Sequence, residues 1–178
     1  MNQALNIKII PSITGLVCFL SSSLALAGCQ PKAVAQVCQT KAYVIDTDPQ
    51  GLNVRQQPNS KGQIIGTLPL YTEVNVSNHQ DNWLSVSPID PELQRVEFSG
   101  KGWVYASLLG LNTRGYGTDS VPLYSEPSKE NPPIARVDSA TAVTMLSCSG
   151  EWVLIKQKDT QGWLEPDEQC AAALTSCS

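Results

Sequence analysis

The sequence predicts an all-β protein: two small barrel-like units in tandem behind an N-terminal signal peptide. Three observations predict it. Runs of alternating apolar and polar residues are short and are bounded by Pro, Gly, Asn and Asp, the period and punctuation of strands rather than helices. Sliding the chain by 69 residues superimposes positions 52 to 83 on 121 to 152 without a gap. The N-terminus carries a long uncharged stretch that ends in small residues.

The N-terminal stretch comes first in chain order. Lys8 precedes a run from Ile9 to Leu26 that holds no charged residue, the basic start and apolar middle of a secretory signal. A membrane-spanning helix would need about 20 apolar residues, and Pro11, Gly15 and Ser21 to Ser23 interrupt that pattern. Leu26-Ala27-Gly28-Cys29 resembles the lipobox of bacterial lipoproteins. The resemblance implies cleavage after residue 28, acylation of Cys29 and a membrane tether over 29 to 40, so that the membrane is a partner through the lipid. An ordinary signal cleaved near Ala27, with Cys29 left as a disulfide partner, is the alternative. An Asp after the cysteine would imply inner-membrane retention; Gln30 stands there instead, which points to the outer membrane or cell surface.

Charge and cysteine content bound the rest. The chain of 178 residues has a net charge of −4, and loss of Lys8 with the signal makes it more negative. No cluster of Lys or Arg offers the basic face that phosphate binding requires, so nucleic acid is not expected as a partner. Of six cysteines, Cys18 leaves with the signal and Cys29 takes lipid. Cys38, Cys148, Cys170 and Cys177 remain, an even set that suggests disulfides in an oxidising compartment. The expected pairing is Cys148 with Cys170, flanking a hairpin from Trp152 to Trp163, and Cys38 with Cys177. The spacing contains no close Cys pair of the zinc-binding kind, and no metal is expected.

The repeat then divides the chain. Val54 falls on Leu123, Pro58 on Pro127, Ile65 on Ile134, Leu68 on Val137, Val74 on Val143, Val76 on Met145 and Trp83 on Trp152. Beyond the tryptophans the first copy carries nine extra residues, with Pro88, Asp90, Pro91 and Glu92 in loop-like company, before Gly102-Trp103 meets Gly162-Trp163. Units spanning 41–109 and 111–170 follow, with a tail over 171–178. Each is about 60 residues, a size at which core burial is marginal, and each is expected to close as a separate barrel.

The first copy resembles the bacterial SH3 domain in full order: Gly51-Leu-Asn-Val-Arg-Gln-Gln-Pro58, Ile65-Gly-Thr-Leu68, Val74-Asn-Val76, Asn82-Trp-Leu-Ser-Val86 and Gly102-Trp-Val-Tyr105. The second departs at its opening, Ser120-Val-Pro-Leu-Tyr-Ser-Glu-Pro127, so its ligand need not be the same. In a small SH3-like barrel one face of each strand fills the interior, which assigns Val54, Ile65, Leu68, Val74, Val76, Leu84, Val86 and Val104 to the core. Gly66 and Gly102 are expected at bends or close approaches. Trp103 and Trp163 read as barrel wall. Trp83 and Trp152 read equally as wall or as ligand platforms.

Catalytic chemistry finds no support. A Cys nucleophile needs a His base within reach, and the single histidine, His79, sits in a polar stretch that reads as a solvated turn. Asp46 with Asp48, and Asp167 with Glu168, read as acidic surface. No phosphate loop, His pair or triad order occurs, and no cofactor is expected. The resemblance implies a cell-envelope binding module for peptidoglycan or peptides, not an enzyme, with Arg55, Gln56, Tyr71, Trp83 and Tyr105 as candidate contacts. The alternative is a periplasmic or surface interaction scaffold that grips an envelope protein through the 87–98 insert or the divergent second copy.

Overall fold

In the computed structural model residues 35–175 are described; Cys29 and Cys177 lie outside them. The first repeat is built from β1 (Gln36–Val44), β2 (Leu52–Arg55), β3 (Ile64–Leu68), β4 (Glu73–Gln80), β5 (Trp83–Pro88), the single-turn α1 (Pro91–Gln94) and β6 (Gly102–Tyr105). A 3₁₀ turn at Ala106–Leu108 leads into β7 (Leu109–Thr113). The second repeat continues with β8 (Ser120–Leu123), β9 (Ala135–Asp138), β10 (Ala142–Ser149), β11 (Trp152–Gln157) and β12 (Thr160–Leu164). It ends in a 3₁₀ turn at Pro166–Glu168 and β13 (Gln169–Cys170).

The offset of 69 maps β4 onto β10 and β5 onto β11, residue for residue, and the match extends to defects. Both β4 and β10 carry a bulge, between Val76 and Asn78 and between Met145 and Ser147, which are equivalent positions. The two tandem SH3-like barrels therefore share their topology. They are not separate, however. The strand order β12-β11-β10-β7-β1-β4-β5-β6-β2-β3 is one continuous hydrogen-bonded sheet, with β13 also on β7.

The reason is that β7 serves twice. In the first repeat it closes the barrel against β1, with Tyr43 opposite Gly110 and Val44 opposite Leu109. In the second it takes the place that β1 has in the first: Leu111 faces Val143 as Ala42 faces Val74. Its own closing role passes to β13, with Asn112 opposite Cys170 and Thr113 opposite Gln169. The buried apolar side chains of both repeats form one cluster. Independent closure fails because a strand with two free edges is shared rather than duplicated.

Three further expectations are corrected. The first strand begins at Gln36, inside the stretch read as tether, and Cys38 on it is buried. Cys38 is disulfide-bonded to Cys148, across the repeats, so neither the Cys148–Cys170 nor the Cys38–Cys177 pairing forms. A parallel bridge from Cys38 to Gly150 lays β1 along the end of β10 and brings the two thiols together. Cys170 is itself disulfide-bonded. Of the expected core, Ile65 is 39 % exposed and its counterpart Ile134 is 58 % exposed, whereas the other named residues are buried. Ile65 lies on β3 and Ile134 just before β9, each an odd number of residues from the buried Leu68 and Val137, so alternation turns both outward.

Gly66 and Gly102 serve close approach rather than positive φ, which neither adopts. A Cβ on Gly102 would lie 2.9 Å from the Arg55 carbonyl oxygen and collide with Val54, and one on Gly66 would meet the Phe98 ring. The insert is folded against the barrel. Gln94 of α1 accepts from the Glu73 N–H at 2.6 Å and donates to the Glu73 and Ile89 carbonyls, and Phe98 packs on the core.

Candidate functional site

Strand alternation in the first repeat places one set of side chains outside the barrel. Leu84 and Val104 point inward and are fully buried. Their neighbours Trp83 and Tyr105, directly opposite each other on β5 and β6, therefore share the outer face. Their rings meet edge to face, with centroids 5.6 Å apart and planes at 81°. Arg55 at the end of β2 lies across from Trp103, and its guanidinium is anchored by a 2.7 Å hydrogen bond from Nη1 to the Gly62 carbonyl. Around these groups Asp46, Asn53 and Ser60 complete a cleft of about 280 Å³ over an apolar base of Leu52 and Leu108.

Such a cleft is suited to binding. The aromatic pair offers apolar surface to a sugar face or an alkyl chain. Arg55 has N–H groups beyond the one it spends on Gly62, and the Asp46, Asn53 and Ser60 side chains present acceptors for hydroxyls and amides. Among the described residues no group of three metal-ligating side chains converges.

Three of the five candidate contacts come together here: Arg55, Trp83 and Tyr105. Gln56 sits exposed in the turn beyond β2, its N–H bonded to the Gln63 carbonyl, and does not line the cleft. Tyr71 lies elsewhere, with φ of 67° and its ring edge-on to Tyr43 at 6.5 Å. It borders a groove beside α1 with Leu93 and Leu174. Sequence reasoning missed Asp46 and Asn53. Asp46 reads as a turn residue because its Oδ1 does cap a turn, accepting from the Asp48 N–H at 3.1 Å.

The equivalent place in the second repeat has other chemistry. Trp152 again meets a tyrosine edge to face, at 5.6 Å and 86°, but the partner is Tyr124, which occupies the Arg55 position. Glu165 stands where the first repeat has Tyr105; it is buried and ion-paired with Lys129, at the Ser60 position. The Glu165 carboxylate raises the Lys129 pKa through that hydrogen bond. A protein ion pair thus occupies what is open cleft in the first copy. His79 also departs from expectation: it lies on β4, not in a turn. Its Nδ1 is 3.2 Å from Ser147 Oγ of the second repeat, and its Nε2 contacts the Asp81 carbonyl.

The chain belongs to the bacterial SH3 domain family: the family's sequence model matches residues 50–110 and 119–168, more than half of the chain. That family is a class of binding module. No curated protein matches the sequence. Solved structures that resemble it include NlpC2 from Trichomonas vaginalis, at 18 % identity and a TM-score of 0.31 over 74 % of this chain and 47 % of that one. NlpC1 from the same organism matches at 17 % and 0.31 over 85 % and 50 %. An NlpC/P60 family protein from Bacillus cereus matches at 16 % and 0.30 over 72 % and 55 %. This chain spans about half the length of those proteins.

Proposed function

We propose that this protein is a lipid-anchored binding module of the bacterial cell envelope, and that it holds a cell-wall component in the cleft of its first repeat. The convergence of Arg55, Trp83 and Tyr105 on one outer face carries the reading, because these residues serve no need of the barrel interior. The lipobox-like Leu26-Ala27-Gly28-Cys29 supports anchorage through acylated Cys29 at the outer membrane or cell surface. Peptidoglycan or its peptides are the ligand class that the family suggests.

Purified cell wall, sedimented with the secreted chain carrying Cys29→Ala so that it bears no lipid, tests the binding. Retention at moderate salt, lost on Trp83→Ala, is the expected result; passage of the wild-type chain into the supernatant removes peptidoglycan as the ligand. Mass spectrometry of the native protein reads the lipid directly. An interaction scaffold is the second reading, favoured by one observation: Leu93, 84 % exposed, and Leu174, 80 % exposed, border the same groove beside the insert. Crosslinking in cells separates the two, since discrete protein adducts support the scaffold and wall-sized material supports the first reading.

A further inference from the structure

We infer that the cleft of the first repeat is one end of a longer groove that crosses onto the second, and that it fits an extended, uncharged, hydroxyl-rich chain: a glycan strand. The inference rests on the binding reading above and adds the ligand class and the role of the second repeat.

Tyr105 lines two cavities at once. One is the 280 Å³ cleft with Trp83 and Arg55. The other is a hollow of about 410 Å³ at the junction, to which the first repeat gives His79, Asn82 and Ser107 and the second gives Leu146, Ser147 and Leu154. Bulges re-aim side chains, and the bulge in β10 falls at the Leu146 and Ser147 positions that line this hollow. The junction is also fixed. Cys148, next to Ser147, is disulfide-bonded to Cys38; the Gln39 N–H donates to the Gly150 carbonyl at 2.7 Å and the Gly150 N–H to the Val37 carbonyl at 3.0 Å; and Gln36 donates to Ser149 Oγ at 2.6 Å. A site held in place before binding loses less entropy on occupation.

The walls select the chain that fits. Over both cavities the charged groups are Arg55, Asp46 and Asp81. With one cation and two carboxylates spread over both cavities, the walls offer neither the basic run a polyanion needs nor the acidic run a polycation needs. Neutral hydroxyls and amides match the imidazole, amide and hydroxyl groups of His79, Asn82, Ser107 and Ser147, with aromatic and leucine surface for sugar faces. A peptide that adds as a further strand does so at a free sheet edge. Here β2, β4, β5, β6, β10 and β11, which border the groove, each have a neighbouring strand on both sides, so none is the outermost strand of the sheet.

Oligomers of β-1,4-linked N-acetylglucosamine are the probe, with affinity measured by calorimetry on the secreted chain carrying Cys29→Ala. The hexasaccharide should bind roughly tenfold or more tightly than the disaccharide, because linked contacts add through effective concentration. In the double variant Asn82→Ala with Leu146→Ala, that gain should vanish while disaccharide binding is kept; unchanged disaccharide binding also shows that the variant is folded. Trp83→Ala should weaken both. Equal affinity for the two lengths, or a hexasaccharide gain that survives the double variant, overturns the composite groove and leaves the first-repeat cleft standing. Failure of either saccharide to bind, with binding of free stem peptides, overturns the glycan assignment. Binding of both saccharides unaffected by Trp83→Ala overturns the cleft itself.

Discussion

Replacing Leu111 by Ala tests whether the shared strand makes the two barrels one cooperative unit. Leu111 is fully buried on β7, opposite Val143, and it belongs to the apolar cluster that spans both repeats. Truncating a fully buried leucine costs about 2–5 kcal/mol, the transfer term plus the cavity left behind. In a unit of this size each kcal/mol lowers Tm by about 2–4 °C. The distinctive expectation concerns where the loss is felt. Because β7 pairs with β10 along one edge and with β1 and then β13 along the other, hydrogen exchange should rise together in β4–β5 and in β10–β11. Denaturant unfolding should stay a single transition with an unchanged m-value, since m follows the surface exposed. Two transitions, with only the second repeat destabilised, would refute the shared-strand reasoning.

Other outcomes follow from the same geometry. Replacing Cys38 and Cys148 by Ala opens a cross-link with a sequence separation of 110; chain-entropy arguments put the loss at about 2–5 kcal/mol, measurable by urea unfolding, and wall binding should weaken as the junction loosens. Tyr43→Phe removes the 3.0 Å hydrogen bond that the Tyr43 hydroxyl donates to Asn112 Oδ1 and should cost about 1 kcal/mol at neutral pH. Burial, assisted by the Tyr71 phenol, raises the Tyr43 pKa above its ordinary value. The folded state then holds that proton more tightly, so its contribution is intact below the ordinary phenol pKa and is lost as pH rises past it. Unfolding followed through the alkaline range should show a shallower decline for Tyr43→Phe than for the wild type.

Much of the fold is legible in the sequence because the repeat is carried by buried positions. Val74 with Val143 and Trp83 with Trp152 keep their type since each fills the same place in a barrel. The shared strand leaves no such trace. At an offset of 69, residues 36 to 44 fall on 105 to 113, yet Gln-Val-Cys-Gln-Thr-Lys-Ala-Tyr-Val and Tyr-Ala-Ser-Leu-Leu-Gly-Leu-Asn-Thr have little in common. One opens a barrel; the other must close one barrel and open the next. That difference also hid the first part of β1 within the expected tether, and with it the Cys38–Cys148 bond. The candidate site was half visible. Arg55, Trp83 and Tyr105 stand in motifs that the family repeats, whereas Asp46, His79 and Ser147 reach their places only through long-range pairing, by way of a turn, a strand end and a bulge.

The central claim is that the first repeat holds the wall ligand and the second repeat's equivalent place does not. Tryptophan indole N–H resonances, followed while solubilised peptidoglycan fragments are added to the secreted chain, read this directly. The Trp83 signal should move saturably while that of Trp152, behind Tyr124 and the Lys129–Glu165 ion pair, stays in place. Movement of Trp152 with Trp83 unperturbed, or no movement of either, would contradict the account.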